Sequence, residues 1–581
     1  MIRINAEKYK KLASIRLIRV ICVLFFCTFA ALIENHQSRM ENTKLKLPIG
    51  IQTFEKLRKR NCVYVDKTKY LVDLIDNFDV CFLARPRRFG KSLTISTFDA
   101  LFSGKKEIFK GLYAEEFLNR PDFMPSPVIC LDMSKVITNR GIDELENSIA
   151  KQIKDVAIVL GVSLTDSNLP GILLDDLIIS TVRRYNKEVV ILLDEYDKPY
   201  TDFVNDPDMA EKIRSALRNF YVQIKANDKY IRFTFITGIS KFAKFGVFST
   251  LNTPHDVSMM PEYAEICGLS ENEIEQYFPD YLENTADYMQ ISTKELKIEM
   301  RHYYNGFSFD SGAKTKLYNP YSTLAFFKDK EFSNYWMESG NTKVIADYMK
   351  NRNLTVEQFR KYPVSKDFVK SPGDMDATTP EGFLYQCGYL TLRPGTSDAF
   401  SLDYPNTEVL NSMSVLLSQN ILREGDNDYS YCRRDLLIGL MSLDCNKVLT
   451  VFNRLLASIP YDDFSKAAQQ SVSDNVYEIK PQEWLYRSTI LAFLRGCGVV
   501  VFAEMHTNLG RSDLVIAHKG KTWIIEIKVA YDGESPVKKA KEALQQITDK
   551  NYATQYPDAV CVGLAIDDSV RQITEMKSNF S

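Results

Sequence analysis

Residues 80–92 read VCFLARPRRFGKS, and this stretch decides the fold of the first half of the chain. Its first five residues are an apolar run with β propensity, and the helix-like LTISTFDALF follows directly. A strand, a loop and a helix in this order are typical of a P-loop, whose backbone N–H groups and helix N-terminus hold phosphates. Lys91 would reach the terminal phosphates and Ser92 would ligate Mg²⁺. Arg85 stands where the generic motif has its first glycine, so the alternative is a basic loop that caps an ordinary helix.

A second motif, VVILLDEYDKPY at 189–200, favours the P-loop interpretation. Its apolar run reads as a buried central strand that ends in Asp194 and Glu195. Such a strand places both carboxylates at the carboxyl edge of a parallel sheet, where ligands bind. Asp194 would hold the Mg²⁺, and Glu195 would orient or deprotonate the attacking water. Two solvated acids after a strand are the alternative, which the preceding GKS loop disfavours.

Further strand-like runs extend the same predicted sheet: VICLDM at 128–133, RFTFITG at 232–238 and a weaker one at 262–269. Helical stretches separate these runs, so we expect a P-loop NTPase fold of the α/β class, a parallel sheet with helices on both faces. Thr237 and Ser240 would sense the γ-phosphate or, as an alternative, cap the turn around Gly238. Ser270 and Glu273 predict a capping box that starts the next helix.

The middle of the chain predicts a winged-helix-like segment. TTPEGFLYQCGYLTL at 378–392 has helical spacing, RPGTSDAF is a turn, and SLDYPNTEV returns as a strand. A packing or regulatory role is favoured here over DNA reading. The apolar periodicity of residues 410–470 indicates a helical connector, and the polar stretch 466–475 is a candidate boundary.

The last hundred residues carry a second group of charged side chains. A helix at 484–498, a strand at 499–508 and a hairpin at 510–530 that turns at 519–521 are predicted. Asp513 opens one strand of the hairpin, and Glu526 and Lys528 lie two apart on the other, hence on one face. Two carboxylates that bind Mg²⁺ and a lysine that positions or activates water form the arrangement of a PD-(D/E)XK nuclease. Exposed strand faces often alternate in this way too, but the Asp-bearing strand and the following helix with Gln546 favour the site.

Composition limits the classes of function. With 581 residues the chain is long enough for about three or four domains, at roughly 150 residues each. The net charge of −2 excludes a global field that draws the protein onto nucleic acid, and residues 471–581 carry thirteen basic against fourteen acidic side chains. Eleven cysteines without a C-x-x-C pair indicate reduced thiols, and none of the five histidines is spaced for zinc.

The N-terminus contradicts this cytosolic composition. Residues 20–33 are apolar, and six basic residues precede them, as in a signal peptide. The run is shorter than the ~20 residues of a membrane-spanning helix. Because the motif-bearing region starts at Leu47, we expect translation from Met40, or a poorly packed appendage over residues 1–39, and a cytoplasmic protein. Membrane association through residues 17–33 is the alternative.

Several motifs together resemble one family. LPIGIQTFEKLRKRNCVYVDKTKYL, RPRRFGKS, LLDEYDKP, ITGISKF, YYNGFSFD and YNPYS are similar to the AAA-ATPase-like family of bacterial proteins, which often carry a C-terminal nuclease-like domain. The resemblance runs from Leu47 to the end of the chain, and the loop without its first glycine is the normal form in that family. It implies ATP binding at Gly90, Lys91 and Ser92, with Asp194 and Glu195 as the metal and water acids.

The resemblance adds further residues to both sites. Arg85, Arg87 and Arg88 lie close enough in sequence to meet phosphate oxygens, although a solvated basic loop is an equal alternative. In the nuclease half, the GR-x-D strand, the E-x-K strand and the A-L-x-Q-I helix match family motifs at 510–513, 526–528 and 543–547, and Glu483 matches an additional acid. Tyr303, Gly306, Asn406 and Glu408 match motifs whose chemistry does not follow from the residues.

The expected organisation has six parts: an N-terminal extension (1–45), a P-loop domain (46–270), a helical region (271–375), a winged-helix-like segment (376–420), a helical connector (421–475) and a restriction-endonuclease-like α/β domain (476–581). We expect an ATP-hydrolysing protein whose nucleotide state controls oligomerisation or access to a Mg²⁺-dependent site acting on DNA or RNA. The alternative is an ATP-driven signalling or scaffold protein whose nuclease-like domain only binds a partner.

Overall fold

The computed structural model describes residues 45–138, 141–203, 206–239, 254–339, 342–351, 356–365, 368, 379–395, 399–421, 425–459, 481–507 and 510–579. All structural statements below concern these residues. The N-terminal extension with Met40, the Ser240 hydroxyl and the candidate boundary at 466–475 lie outside them.

The first half is built on a parallel five-stranded sheet. Its strands are β1 (Val80–Ala84), β2 (Val128–Asp132), β3 (Val189–Asp194), β4 (Ile231–Gly238) and β5 (His255–Asp256), in the spatial order β2-β3-β4-β1-β5. Every residue of β3 is buried, so both faces of the sheet are covered, as predicted for an α/β fold. β4 lies between the P-loop strand β1 and the acid-bearing strand β3, and this order decides which side chains meet at the sheet edge.

Eight helices accompany this sheet in the described part of the chain. They are α1 (Phe54–Lys59), α2 (Thr68–Asn77), α3 (Lys91–Phe102), α4 (Ala114–Leu118), α5 (Ile142–Leu160), α6 (Pro170–Tyr185), α7 (Lys198–Thr201) and α8 (Pro207–Ala226). α3 begins directly after Gly90, as the P-loop prediction requires. Its residue Phe98 packs on Phe235 of β4 with ring centroids 4.7 Å apart, which fixes the P-loop helix to the sheet.

The strand predicted at 262–269 is wrong. Its place at the sheet edge is taken by β5, which pairs with Cys81 and Phe82 of β1. Pro261 starts a 3₁₀ turn through Tyr263, and a proline has no N–H to donate to a sheet. The rest of the run wraps around the P-loop instead, since the backbone N–H of Gly268 donates to the carbonyl of Phe89 at 3.2 Å.

The helical region follows with α9 (Glu271–Tyr277), α10 (Pro279–Met289), α11 (Thr293–Tyr304), α12 (Pro320–Asp329) and α13 (Thr342–Asn351). The predicted capping box of Ser270 and Glu273 is confirmed at the start of α9. A second box, of Ser292 and Glu295, starts α11.

The predicted order of a helix followed by two strands is confirmed, while residues 396–398 of the predicted turn lie outside the described residues. α14 (Pro380–Gln386) precedes β7 (Thr391–Pro394) and β8 (Phe400–Asp403), and β6 (Tyr362–Val364) completes an antiparallel sheet in the order β6-β8-β7. The returning strand is shorter than predicted because Asn406 caps α15 (Thr407–Ile421), its Oδ1 accepting the N–H of Val409 at 3.0 Å.

Two close approaches join this segment to its neighbours, one to the helical region and one to the P-loop domain. Gly306 has φ 106°, and a Cβ on it would lie 2.1 Å from the carbonyl oxygen of Pro405. Gly388 has φ 83°, and a Cβ there would lie 2.5 Å from the Cβ of Pro86 and 3.1 Å from the Trp336 ring. Only glycine tolerates these contacts. The winged-helix-like segment therefore packs directly on the phosphate loop.

The second half contains a mixed sheet in the order β13-β12-β11-β10-β9. Its strands are β9 (Val500–Thr507), β10 (Gly510–His518), β11 (Lys521–Ala530), β12 (Val560–Asp567) and β13 (Gln572–Ser578), and only β11 and β12 run parallel. The predicted hairpin turn is confirmed, with φ 44° at Lys519 and 77° at Gly520. The helix α19 (Pro536–Asp549) covers one face through Ile547.

The predicted helical connector is not a separate layer. α16 (Gly425–Ser442) and α17 (Cys445–Ala457) share one hydrophobic core with α18 (Pro481–Gly496) and the face of the second sheet opposite α19. Trp523 of β11 is buried, and its Nε1 donates to the carbonyl of Leu440 at 3.1 Å. A periodic apolar stripe shows that one face of a helix is buried, but it does not identify the element that covers this face. The sequence therefore could not show that these helices pack on the second sheet.

In the described part of the chain, no helix combines the length and the apolar character needed to cross a membrane.

Two candidate functional sites

The phosphate loop holds its lysine inside itself. Gly90 caps α3 with φ 103°, a conformation that favours glycine. The side chain of Lys91 is 4% exposed, and its Nζ donates to the carbonyl oxygens of Arg85 at 2.9 Å and Pro86 at 3.1 Å. Ser92 follows in the first helical turn and is half-buried. The loop thus places a buried cation and a hydroxyl at a helix N-terminus, where an anion binds.

Arg85 does not face a phosphate, which corrects that expectation. Its side chain is 1% exposed and donates to four backbone carbonyls, those of Ala84, Ser258, Tyr263 and Ala264. Its Cζ also lies 4.4 Å from the ring centroid of Phe309. Arg85, which stands at the position of the missing first glycine, therefore has a structural role: it connects the loop to residues 258–264 by hydrogen bonds.

The other two loop arginines remain candidates for phosphate contact. Arg88 is exposed, has φ 65°, and lies with its Cζ 4.8 Å from the ring centroid of Tyr321. Arg87 is half-buried near Cys387 of the winged-helix-like segment. Burial raises the pKa of that thiol to about 12, and the charge of Arg87 opposes the rise.

The acid pair at the end of β3 is held by Thr237. The Oδ1 of Asp194 accepts a hydrogen bond from the Thr237 hydroxyl at 2.6 Å, and the backbone N–H of Glu195 donates to the same hydroxyl at 3.3 Å. Asp194 is buried, whereas Glu195 is half-buried with φ 50°. Thr237 itself is 0% exposed. The structure thus places the predicted sensor residue as a hydrogen-bond partner of Asp194, the predicted metal acid.

We expect Thr237→Val to slow ATP hydrolysis roughly tenfold with little change in ATP affinity, because outer-shell partners of a metal ligand orient it without touching the nucleotide. Turnover and the ATP Kd measured in parallel check this. Thr234→Val is the matched control: Thr234 lies on the same strand, is equally buried, and its hydroxyl has no partner among the described residues. Equal turnover in both variants would contradict the role of Thr237.

A cavity of about 110 Å³ opens beside the phosphate loop, at Gly90 and Thr94. Its lining is mainly apolar and comes from four distant parts of the sequence, including Pro48, Val63, Leu93, Ile266, Phe278 and Leu324. The apolar lining is of the kind found in small-molecule pockets, whereas the volume is smaller than their usual ~300–1,000 Å³. Sequence reasoning missed it; the only signal was the family motif at residues 47–71, which had no assigned role.

The second site brings together the predicted acids of β10 and β11. The backbone N–H of Asp513 donates to Oε2 of Glu526 at 3.2 Å, and the N–H of Ile527 donates to Oδ2 of Asp513 at 2.8 Å. The Gln546 amide, on α19, donates to Oε1 of Glu526. Glu526 is 4% exposed, and Lys528 is half-buried two residues along the same strand.

The electrostatics of this pair favour a bound cation. Burial raises the pKa of Glu526 well above its ordinary value, and the charge of Asp513 raises it further, while Lys528 and Arg487 act in the opposite direction. Two carboxylates with water and phosphate oxygens are a usual set of ligands for Mg²⁺. No group of three Asp, Glu, His or Cys side chains meets in metal-ligating geometry within the described ranges, so the rest of a coordination shell would come from water and phosphate.

Two charged residues of α18 bear on this domain: the predicted acid Glu483 acts on Tyr531 and Lys539, and Arg487, which sequence reasoning did not identify, contacts the acid pair. Glu483 lies in the first turn of α18. Burial raises the pKa of Tyr531, and the charge of Glu483 raises it further. The hydrogen bond to Glu534 raises the pKa of Lys539, and the charge of Glu483 contributes to that rise. Arg487, one turn later, places its Nη1 3.0 Å from Oδ1 of Asp513. Its spacing of four from Glu483 was the available signal, since both then share a helix face.

Without metal, the stability of the protein is expected to fall as the pH rises toward the raised pKa of Glu526. The unfolded chain releases this proton near pH ~4.3, whereas the folded chain retains it to higher pH, so rising pH favours unfolding in between. Glu526→Gln removes this proton, and its urea midpoint in EDTA should exceed the wild-type midpoint at about pH 8 but not at about pH 4. A variant less stable than wild type at both pH values would show that the carboxylate stabilises the fold.

These two sites define a class of protein: a P-loop ATPase-like domain joined to a domain of the PD-(D/E)XK nuclease superfamily. Residues 48–248 match the family described as predicted AAA-ATPase, and residues 481–576 match the PD-(D/E)XK nuclease superfamily. An uncharacterized protein in the vnfD 5′ region of Azotobacter chroococcum mcd 1 is 32% identical over 522 residues, which cover 88% of this chain and 94% of that protein. The chain belongs to this AAA-ATPase-like family with a C-terminal nuclease-superfamily domain.

Among solved structures, the crystal structure of Cdc6p from Pyrobaculum aerophilum aligns with 65% of this chain and 97% of its own, at 8% identity. The TM-score of 0.21 is too low for this likeness to bear on the fold.

Proposed function

We propose that this protein binds and hydrolyses ATP in its first half and that the nucleotide state controls Mg²⁺-dependent cleavage of nucleic acid in its second half. The observation that carries the proposal is the convergence of Asp513, Glu526 and Gln546 on one point of the second sheet, in the same chain as a P-loop. An ordered acid pair in which burial raises the pKa of Glu526, with a lysine nearby, suits metal-assisted hydrolysis.

In the ATPase-like half, Gly90 and Lys91 would hold the phosphates, and Arg87 and Arg88 would add charge from the loop. Ser92 and Asp194 would ligate Mg²⁺, which neutralises charge on the transferred phosphoryl group, and Glu195 would orient the attacking water. The apolar side chains beside Gly90 would contact the base.

In the nuclease-like half, Asp513 and Glu526 would hold Mg²⁺, which offsets the charge that develops at the scissile phosphate. Lys528 would position or activate the attacking water. Gln546 would fix the orientation of Glu526, and Glu483 would be a further acid of this site.

Packed elements connect the two sites and support their coupling. Gly388 touches the phosphate loop at Pro86, and the backbone N–H of the adjacent Trp336 donates to Glu408 of α15 at 2.8 Å. α15 in turn packs on α18, where a Cβ on Gly496 would lie 3.2 Å from the carbonyl oxygen of Ser414. A movement of the loop can therefore reach the helix that carries Glu483 and Arg487.

One observation favours a second function. The C-terminal domain has nearly equal numbers of basic and acidic residues, so it lacks the field that draws nucleases onto DNA. In this alternative, ATP drives assembly of a signalling or scaffold protein, and the second domain binds a partner without cleaving it.

The test is a cleavage assay with the full chain, Mg²⁺ and single- and double-stranded DNA and RNA, with and without ATP. We expect cleavage that depends on ATP and is lost in Lys91→Ala. Equal cleavage with and without nucleotide would overturn the coupling. The absence of cleavage of all four substrates, with an ATP-dependent change of mass in light scattering, would favour the scaffold.

A further inference from the structure

An arginine holds one of the two nuclease-site carboxylates. Arg487 is 8% exposed, and its Nη1 lies 3.0 Å from Oδ1 of the half-buried Asp513 in an ion pair. The strands of the site do not carry this arginine; it extends from α18, on the opposite side of the sheet from α19. A cation that approaches a site from a separate element can leave it without disturbing the strands.

Each oxygen of the acid pair has a donor, and one of these four donors is charged. The backbone N–H groups of Asp513 and Ile527 and the amide of Gln546 are neutral. The two backbone donors are fixed by the sheet, whereas Arg487 has a long side chain with several rotatable bonds. Mg²⁺ would enter the surroundings of Asp513, where the guanidinium already sits, so the two cations would repel each other.

The formal charges indicate what the released arginine would bind. As metal ligands, Asp513 and Glu526 would both be ionised, and the positive charges of Lys528 and Arg487 would balance their two negative charges. A divalent cation adds two positive charges, and the site stays positive even with Glu483 counted. A guanidinium beside such a site binds phosphate oxygens through two parallel N–H groups.

We propose that Arg487 exchanges partners: it neutralises Asp513 while the metal is absent and clamps a backbone phosphate of nucleic acid once Mg²⁺ is bound. This inference rests on the proposed nuclease function. Asp513 is thereby kept ordered without metal, and the phosphate-binding form of the site exists only when the metal that would cleave the strand is in place.

The Mg²⁺ affinity of an Arg487 variant distinguishes partner exchange from a purely structural role, because the two predict changes in opposite directions. If Arg487 competes with the metal, Arg487→Met should bind Mg²⁺ at least roughly threefold more tightly than wild type. If Arg487 only holds Asp513 in position, the same variant should bind Mg²⁺ more weakly. Isothermal titration calorimetry of the full chain with Mg²⁺ alone distinguishes these two roles of Arg487. Tighter Mg²⁺ binding by the variant could not result from misfolding, because misfolding would weaken binding.

The phosphate role is tested with a phosphorothioate-linked oligonucleotide in Mg²⁺ by fluorescence anisotropy. Arg487→Met should bind it roughly tenfold more weakly and lower the slope of log affinity against log salt by about 1, the loss of one phosphate contact. Arg487→Lys keeps the charge and should retain the slope. An unchanged slope in Arg487→Met would overturn the inference while leaving the nuclease proposal intact.

Arg495→Met is the matched control, because Arg495 is similarly buried and lies two turns further along the same helix. Its metal affinity and salt slope should match those of wild type. If the wild-type chain binds no oligonucleotide and cleaves none, the proposed function fails together with this inference.

Discussion

Replacement of Lys91 by alanine is expected to weaken ATP binding strongly. The ammonium group lies in the loop with two carbonyl oxygens as its partners, and phosphate oxygens offer it stronger, charge-assisted bonds. Hydrogen bonds to charged groups contribute about 1.5–3 kcal/mol, so ATP affinity should fall roughly 10- to 100-fold. Titration calorimetry with ATP and Mg²⁺ measures this change directly, and the rate of ATP hydrolysis should fall with it.

Lys69→Ala is the control for Lys91→Ala. Lys69 is exposed on α2, outside the phosphate loop, so its loss changes the net charge equally but leaves the loop intact. ATP should still raise the melting temperature of this control and of wild type, but not that of Lys91→Ala. A normal ATP affinity in Lys91→Ala would place the nucleotide elsewhere.

The second large effect is expected at the acid pair of the nuclease-like domain. Asp513→Asn and Glu526→Gln should each slow Mg²⁺-dependent cleavage roughly 100-fold or more, because a metal ligand supports several kcal/mol of transition-state stabilisation. ATP binding should stay unchanged in both variants, since the P-loop belongs to the other sheet. Single-turnover cleavage rates at saturating enzyme provide the measurement.

Glu575→Gln is the matched substitution for this second prediction. Glu575 is half-buried on β13, at the far edge of the same sheet, and does not contact the acid pair in the described structure. Its cleavage rate should equal that of wild type. Loss of cleavage in Glu575→Gln to the same degree would indicate damage to the sheet rather than to a metal site.

The elements that the sequence predicted correctly are those whose signals are local. The apolar run of β3 followed by Asp194, and the turn at Lys519 and Gly520, each depend on residues adjacent in the chain. The same holds for Glu526 and Lys528, whose spacing of two defines their shared face.

The errors concern contacts that depend on strand order and on distant segments. Thr237 contacts Asp194 because β4 lies beside β3, and residue spacing does not contain that order. Arg85 is buried because residues 258–264 present three carbonyl groups to its side chain, a feature of the backbone alone. Arg487 meets Asp513 across 26 residues of chain, and only the folded sheet brings them together.

Because Trp336 lies beside Gly388, which contacts the phosphate loop, its fluorescence is an intrinsic probe of that loop. The chain has three tryptophans. Trp336 packs against Phe307 and Gly388, next to Pro86 of the loop. Trp523 is buried in the second sheet, and Trp484 lies in the first turn of α18. Indole emission depends on the polarity and rigidity of its surroundings. With Trp484 and Trp523 replaced by phenylalanine, the remaining emission would follow the phosphate loop in real time, without a label and in the full chain.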